Sequence, residues 1–281
     1  MDHVARGLGA LGTNPPTGVA EHLSVHGSDW LWAVTAVYLV AFLVLLTFCF
    51  IMPEADRIFH YLFTCTLLAG STAYFAQAAD LGWVAVGGHQ FFWAKYANWA
   101  VSFPAAALAL GLLCDVSWTT IFTNVFICLF WVTTYLLGGF VTTTYRWGLF
   151  AFGTLGWLIL AMSTLNESRE AAARSNMVRD YMTLAMIANI AWLLYPVAWG
   201  LGDGSDTIGV TATWIFVGVL DIIQGPVLSV TFVLLARKWN YAKLNLNLSE
   251  SRSGWHAETG HPDGNGKPNS PEALPLQETS A

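Results

Sequence analysis

The chain has 281 residues, 55% of them hydrophobic and only 11% charged, with a formal net charge of −6. Apolar segments of about 20 residues recur along it, each long enough to cross a bilayer core of roughly 30 Å, and a closed β-barrel is excluded because its short alternating segments are missing. Much of the acid lies in the tails, so the net charge says little about partners; the lipid bilayer is the expected surrounding and no nucleic-acid partner is expected.

Residues 1–28 carry Gly, Pro and His without periodicity and are read as an extracellular tail. They hold no apolar core, so no separate signal peptide is visible and the first span is expected to direct insertion. Residues 29–240 form the membrane domain, with spans predicted at 30–51, 58–82, 91–113, 117–140, 147–165, 181–201 and 211–236. Each helix satisfies its own backbone hydrogen bonds in lipid, so the fold class is all-α, a bundle of seven transmembrane helices. Residues 241–281 are read as a cytoplasmic tail, disordered from 244 on, where Ser, Asn, Gly, Pro and Glu dominate.

Basic residues near the span ends set the orientation. With the N-terminus outside, the inner side collects Arg57, Arg169, Arg174, Arg179, Arg237, Lys238 and Lys243, against Lys95, Arg146 and the more distant Arg6 outside. On that topology the glycosylation-like Asn247-Leu248-Ser249 is cytoplasmic and inert, and Ser270-Pro271 reads as a chance dipeptide in a solvated tail. Cys49, Cys65, Cys114 and Cys128 fall within spans or at their edges and indicate packing rather than a disulfide framework. His60 and His89 are isolated, and no metal-ligand spacing occurs.

The last span reads FVGVLDIIQGPVLSVTFVLLAR over residues 216–237. Asp221 lies deep in this apolar run, where an ionisable group is costly and usually functional. One helical turn later stands Gly225, followed by Pro226, which lacks a backbone donor and crowds the carbonyl of Ile222; a local bend is expected there. Pro104 and Pro196 are expected to kink their own helices. Small-residue stretches such as Ala105-Ala106-Ala107 and Gly138-Gly139 are common in membrane helices and do not assign an oligomer.

Three fragments stand out together: KYANWAVSFPAAALAL from Lys95, IAWLLYPVAWG from Ile190, and the run around Asp221. They resemble the microbial rhodopsin superfamily, with its third-helix R-Y-x-D-W-x-x-T-x-P, sixth-helix W-x-x-Y-P-x-x-W and seventh-helix L-D-x-x-x-K patterns. Tyr74 and Tyr145-Arg146 add weaker matches, and the resemblance covers roughly residues 28–240. It implies that Trp99, Trp192 and Trp199 line a flat apolar slot, and that Tyr74 and Tyr195 offer hydroxyls to Asp221.

The departures from the pattern matter more than the matches. The family holds retinal on the seventh-helix lysine, and Gly225 occupies that position. The third-helix acceptor carboxylate is replaced by Asn98, the inner proton donor falls on Ala109, and Lys95 stands for the outer arginine. The four lysines, Lys95, Lys238, Lys243 and Lys267, all lie away from the middle of the membrane. Without the Schiff-base cation a second buried carboxylate would be uncompensated, which leaves Asp221 and Lys95 as the expected ionisable pair of the core. Asp221 would be neutralised by Lys95 through water, held by Tyr74 and Tyr195, or protonated; these readings stay open.

Lysine-less members of the superfamily are opsin-related proteins, chiefly fungal, and include a heat-shock-induced plasma-membrane group. The resemblance therefore implies a multi-pass protein, expected at the plasma membrane, with a stress-linked, chaperone-like or regulatory role. It implies a membrane protein such as a proton ATPase as partner, a homo-oligomer as an option, and no covalent cofactor, although non-covalent retinal or another apolar ligand stays open. The competing reading is a retinal photoreceptor or light-driven ion transporter. A G-protein-coupled receptor is opposed by the short loops and the missing Asp-Arg-Tyr and Asn-Pro-x-x-Tyr sequences, and an enzyme by the lack of a nucleophile–base pair, metal cluster or phosphate loop.

Overall fold

The structure, a computed structural model, describes residues 9–53, 57–114, 116–239, 241 and 244. Arg6, Lys243, Lys267, the Asn247-Leu248-Ser249 and Ser270-Pro271 sequences and nearly all of the expected C-terminal tail lie outside the described residues.

Among the described residues, seven long helices form the bundle. They are α1 (Val25–Ile51), α2 (Ile58–Ala78), α3 (Ala94–Leu113), α4 (Trp118–Phe140), α5 (Arg146–Arg174), α6 (Val178–Gly204) and α7 (Gly209–Ala236). All but α2 are individually long and apolar enough to cross a membrane. Buried polar residues such as Thr64, Ser71 and Gln77 dilute the apolar character of α2. Its 21 residues still reach about 31 Å at 1.5 Å per residue. Sequential helices are neighbours, and α7 closes the ring by packing on both α1 and α6.

The helices follow from their sequences. Ser24 caps α1, its hydroxyl accepting from the Gly27 amide at 3.1 Å. Leu31, Val34, Tyr38, Ala41 and Leu45 recur three or four residues apart and form the buried stripe of α1. Val37, Val40, Leu43 and Val44 are equally apolar yet exposed, as a lipid-facing surface requires. The helix stops where Pro53 forces Met52 into an extended conformation. Of the 20 residues of α3, 15 are buried, which places it at the centre of the bundle.

Three helices contain π turns. In α5 the turn covers Ser163–Glu167, and the helix continues well past the predicted end at 165. In α6 it covers Gly200–Gly204, and in α7 Ile223–Val227. The bend expected at Gly225-Pro226 therefore takes the form of one wide turn. A turn of this kind absorbs the missing proline donor without breaking the helix.

One end of the bundle differs from the sequence reading. The predicted spans 58–82 and 91–113 overrun their helices, because α2 stops at Ala78 and α3 begins at Ala94. Between them lies a hairpin of β1 (Trp83–Val86) and β2 (His89–Phe92), paired antiparallel from Trp83 opposite Phe92 to Val86 opposite His89. Gly87 and Gly88 make its two-residue turn, both with positive φ, the conformation that tight hairpins demand. Residues 9–24, read from sequence as part of an unstructured tail, fold over this hairpin. A helical turn covers Ala10–Thr13, the amides of Ala20 and Glu21 donate to the Gly88 carbonyl, and the Gln90 amide donates to the Glu21 carbonyl. Asn14 Nδ2 reaches the Ala79 carbonyl at 2.9 Å, and the Leu23 amide reaches Gln90 Oε1 at 2.8 Å. The segment has no periodicity of its own because its order comes from the hairpin edge it completes.

Candidate functional site

Asp221 stands on α7 just before the π turn and is only 2% exposed. Its carboxylate is surrounded by donors from three other helices. Tyr195 of α6 donates to Oδ1 at 2.5 Å, and Trp99 Nε1 of α3 donates to the same oxygen at 2.9 Å. Tyr74 of α2 donates to Oδ2 at 2.5 Å, and Asn98 Nδ2 of α3 adds a longer contact at 3.5 Å. A carboxylate offers about four lone-pair positions, and here each oxygen takes two contacts from the chain itself.

Sequence reasoning pointed to Tyr74 and Tyr195 as hydroxyl partners, and the structure brings both to Asp221. Trp99 was expected only as a wall of an apolar slot, yet its indole is a direct donor. Tyr38 of α1 escaped the sequence reading entirely. Its hydroxyl donates to the Asp221 main-chain carbonyl at 2.7 Å, and its ring stacks on Tyr74 at 5.2 Å.

The apolar side of the site is a packed aromatic cluster. Phe103 stacks on Trp99 at 5.8 Å and lies 4.8 Å from Tyr195, 5.1 Å from Trp131 and 6.3 Å from Trp192. Trp192 is fully buried, and its indole nitrogen has no hydrogen-bond partner. Trp199 turns away from Asp221 towards α4 and α5: its Nε1 donates to the Tyr135 carbonyl at 3.1 Å, and its ring stacks on Phe150 at 5.3 Å. Gly225 is buried behind Asp221, as is Gln224, whose two amide atoms have no partner. Ala109 is buried in the second half of α3. The weaker match at Tyr145-Arg146 lies apart from this cluster: Tyr145 is exposed, and Arg146 Nη1 donates to the Gly204 carbonyl at 2.8 Å.

Lys95 has a direct ion-pair partner of its own. It is 3% exposed at the start of α3, but its ion-pair partner is Asp203 at 2.5 Å, not Asp221. The π turn Gly200–Gly204 folds Asp203 over the first turn of α3, and the Tyr96 hydroxyl donates to the same carboxylate. The ammonium also lies 5.3 Å from the Tyr96 ring centroid and 5.5 Å from that of Trp214. Asp203 sits in a glycine-rich stretch that reads as the end of a span, which hid it from sequence analysis.

A second carboxyl at this end, the buried Asp80, lies beyond the last turn of α2 with φ at 59°. Gln90 Nε2 donates to its Oδ1 at 2.6 Å, while Oδ2 has no partner. Burial raises the Asp80 carboxyl above its ordinary range, and the Gln90 hydrogen bond and the charge of His22 oppose that shift.

Comparison with known proteins agrees with this architecture. Residues 27–238 match the family model described as bacteriorhodopsin-like protein. The chain is 35% identical over 250 residues to protein FDD123 of Trametes versicolor, covering 86% of this chain and 88% of that one. It is 29% identical over 246 residues to the 30 kDa heat shock protein of Saccharomyces cerevisiae, covering 76% and 73%. Among solved structures, the light-driven proton pump rhodopsin of Coccomyxa subellipsoidea superposes with a TM-score of 0.74 at 24% identity, covering 76% of this chain and 98% of the pump, a likeness of fold. The seven-helix bundle built around a single buried aspartate on its last helix therefore has a family: the chain belongs to the bacteriorhodopsin-like proteins.

Proposed function

We propose that this opsin-related membrane protein is non-photochemical and works through contact with another membrane protein or through an apolar ligand, in a stress-linked or chaperone-like role. The observation that carries the reading is Gly225, buried one turn beyond Asp221, which has no amine to link a chromophore. Both oxygens of Asp221 are meanwhile engaged by Tyr74, Tyr195, Trp99 and Asn98. A 30 kDa heat shock protein among the relatives supports the stress-linked role. On this reading Tyr74, Trp99, Trp192, Tyr195, Trp199 and Asp221 are an inherited pocket converted to structure, and Lys95, Asn98 and Ala109 are former proton-path positions.

The same reading sets the protein in the plasma membrane with its N-terminus outside, supported by the basic residues near the ends of α2, α5, α6 and α7. Protease applied to intact cells is expected to spare a C-terminal tag, and its cleavage without permeabilisation would reverse the orientation. A proton ATPase or a second copy of the chain is the class of partner the reading favours.

The competing reading, a light-driven transporter, draws on the fold shared with the Coccomyxa pump. Reconstituted vesicles with added all-trans retinal separate the two. No light-dependent pH change is expected; a change that Asp221→Asn abolishes would establish the transporter.

A further inference from the structure

We propose that Tyr38 closes the core of this bundle against an axial ligand, so that a lysine at position 225 would not by itself restore a retinal site. The inference rests on the proposed reading of Gly225 as a vacated attachment point, and it assigns the vacated space to a named side chain. A Cβ built on Gly225 would lie 2.5 Å from the Tyr38 hydroxyl oxygen and 2.8 Å from Cζ, distances that real side chains do not tolerate. The first atom of any side chain at 225 therefore meets Tyr38, before a lysine stem has left the helix.

The tyrosine has little room to yield. It is 1% exposed, its hydroxyl is bound to the Asp221 carbonyl, and one ring face stacks on Tyr74. Its ring edge presses on Gly70 of α2, where a Cβ would collide with Cδ1 and Cε1. Glycines on two different helices thus receive one aromatic ring from a third. The residues present do not fit a retinal linked from α7: the position of the linking side chain is occupied by protein.

The sign of one substitution tests the contact. At an ordinary helical position Gly→Ala stabilises, because alanine is the better helix former. Here Gly225→Ala is expected to lower Tm by several degrees in the full-length protein in detergent. In a Tyr38→Leu background, which keeps an apolar side chain and shortens it, the same change is expected to leave Tm unchanged or raise it. An increase in Tm for Gly225→Ala with Tyr38 present, or an equal loss in both backgrounds, would overturn the proposal.

The second arm uses all-trans retinal as the probe and counts the adduct trapped by borohydride. Gly225→Lys with Tyr38→Leu is expected to yield at least about tenfold more adduct at position 225 than Gly225→Lys alone. Equal yields in the two, whether high or nil, would overturn the proposal. Adduct on the unsubstituted protein would instead contradict the non-photochemical reading while leaving the Tm comparison intact.

Discussion

Two carboxylates, the buried Asp221 in mid-bundle and the part-buried Asp203 at the hairpin end, have solved the same problem differently. Asp221 is surrounded by hydrogen-bond donors, two tyrosines, a tryptophan and an asparagine, and among the described residues no cationic side chain forms an ion pair with it. Asp203 has a cation, Lys95, with Tyr96 donating beside it. Unpartnered buried polar atoms occur near both: Asn98 Oδ1, Trp192 Nε1 and both amide atoms of Gln224 in mid-bundle, His89 Nε2 and Asp80 Oδ2 at the hairpin end. The difference in partners follows from depth. In hydrocarbon a polar group has only the protein to bond to, so the central acid takes its donors from aromatic side chains whose bodies also fill the core. Near the bundle end water can complete what side chains leave open, and an ion pair is affordable there.

The largest expected effect comes from breaking the central set. Asp221→Leu leaves Tyr74, Tyr195 and Trp99 without an acceptor, and each stranded donor costs roughly 1–3 kcal/mol, so the variant is expected to lose at least about 3 kcal/mol. Asp221→Asn is nearly isosteric and keeps one acceptor oxygen, and a rotated tyrosine hydroxyl can accept from its amide; a loss of about 1 kcal/mol is expected. Adding Tyr74→Phe and Tyr195→Phe to Asp221→Leu should recover part of the loss. Thermal denaturation in detergent ranks the variants. Equal damage from Asn and Leu would mean that Asp221 acts as a charge, and the contrast with Asp203 would collapse.

Next in size is the ion pair. Lys95→Met leaves Asp203 and Tyr96 together without the ammonium, and removing one partner of a buried pair costs about 3 kcal/mol or somewhat less at this bundle end. Lys95→Met combined with Asp203→Asn is expected to recover most of it, whereas Lys95→Met with Asp221→Asn is expected to be additive. Additivity between Lys95 and Asp203, with coupling to Asp221 instead, would favour neutralisation of Asp221 by Lys95, one of the three readings that the sequence leaves open.

What the sequence disclosed and what it hid divide along the same line. The helices are legible because lipid demands apolar runs of sufficient length. Tyr195 and Asp221 are legible because they belong to spaced sets on α6 and α7 that resemble the family's, and Tyr74 of α2 only as a weaker match to it. Tyr38 is not: it is one aromatic in a helix apolar on every side, and its contact joins residues 183 positions apart. Asp203 was hidden by the Gly200–Gly204 turn, whose π geometry carries it back over Lys95. The hairpin strands, four residues each, were absorbed into neighbouring spans because they are apolar, although Gly87-Gly88 carried a turn signal.

The smallest effect concerns pH. Burial raises the Asp80 carboxyl above its ordinary 3.8, so just above that value the folded protein holds this proton more tightly than the unfolded chain. Stability is then expected to fall as pH rises from 3.8 through the folded-state value, and to change no further from this group above it. Asp80→Asn should remove that slope while keeping an acceptor for Gln90, as denaturation curves at several pH values would show. A steeper slope in the variant would place the shift elsewhere at the hairpin end.

The central claim, that Asp221 is held by the chain's own donors and serves no bound cation, is tested most directly by one absorption spectrum. Purified full-length protein is incubated with all-trans retinal, its visible spectrum is recorded, and the sample is reduced with borohydride and denatured. Free-retinal absorption is expected, with no retinyl group retained on the chain. A red-shifted visible band, with a retinyl adduct that survives denaturation and maps to a lysine of this chain, would contradict it.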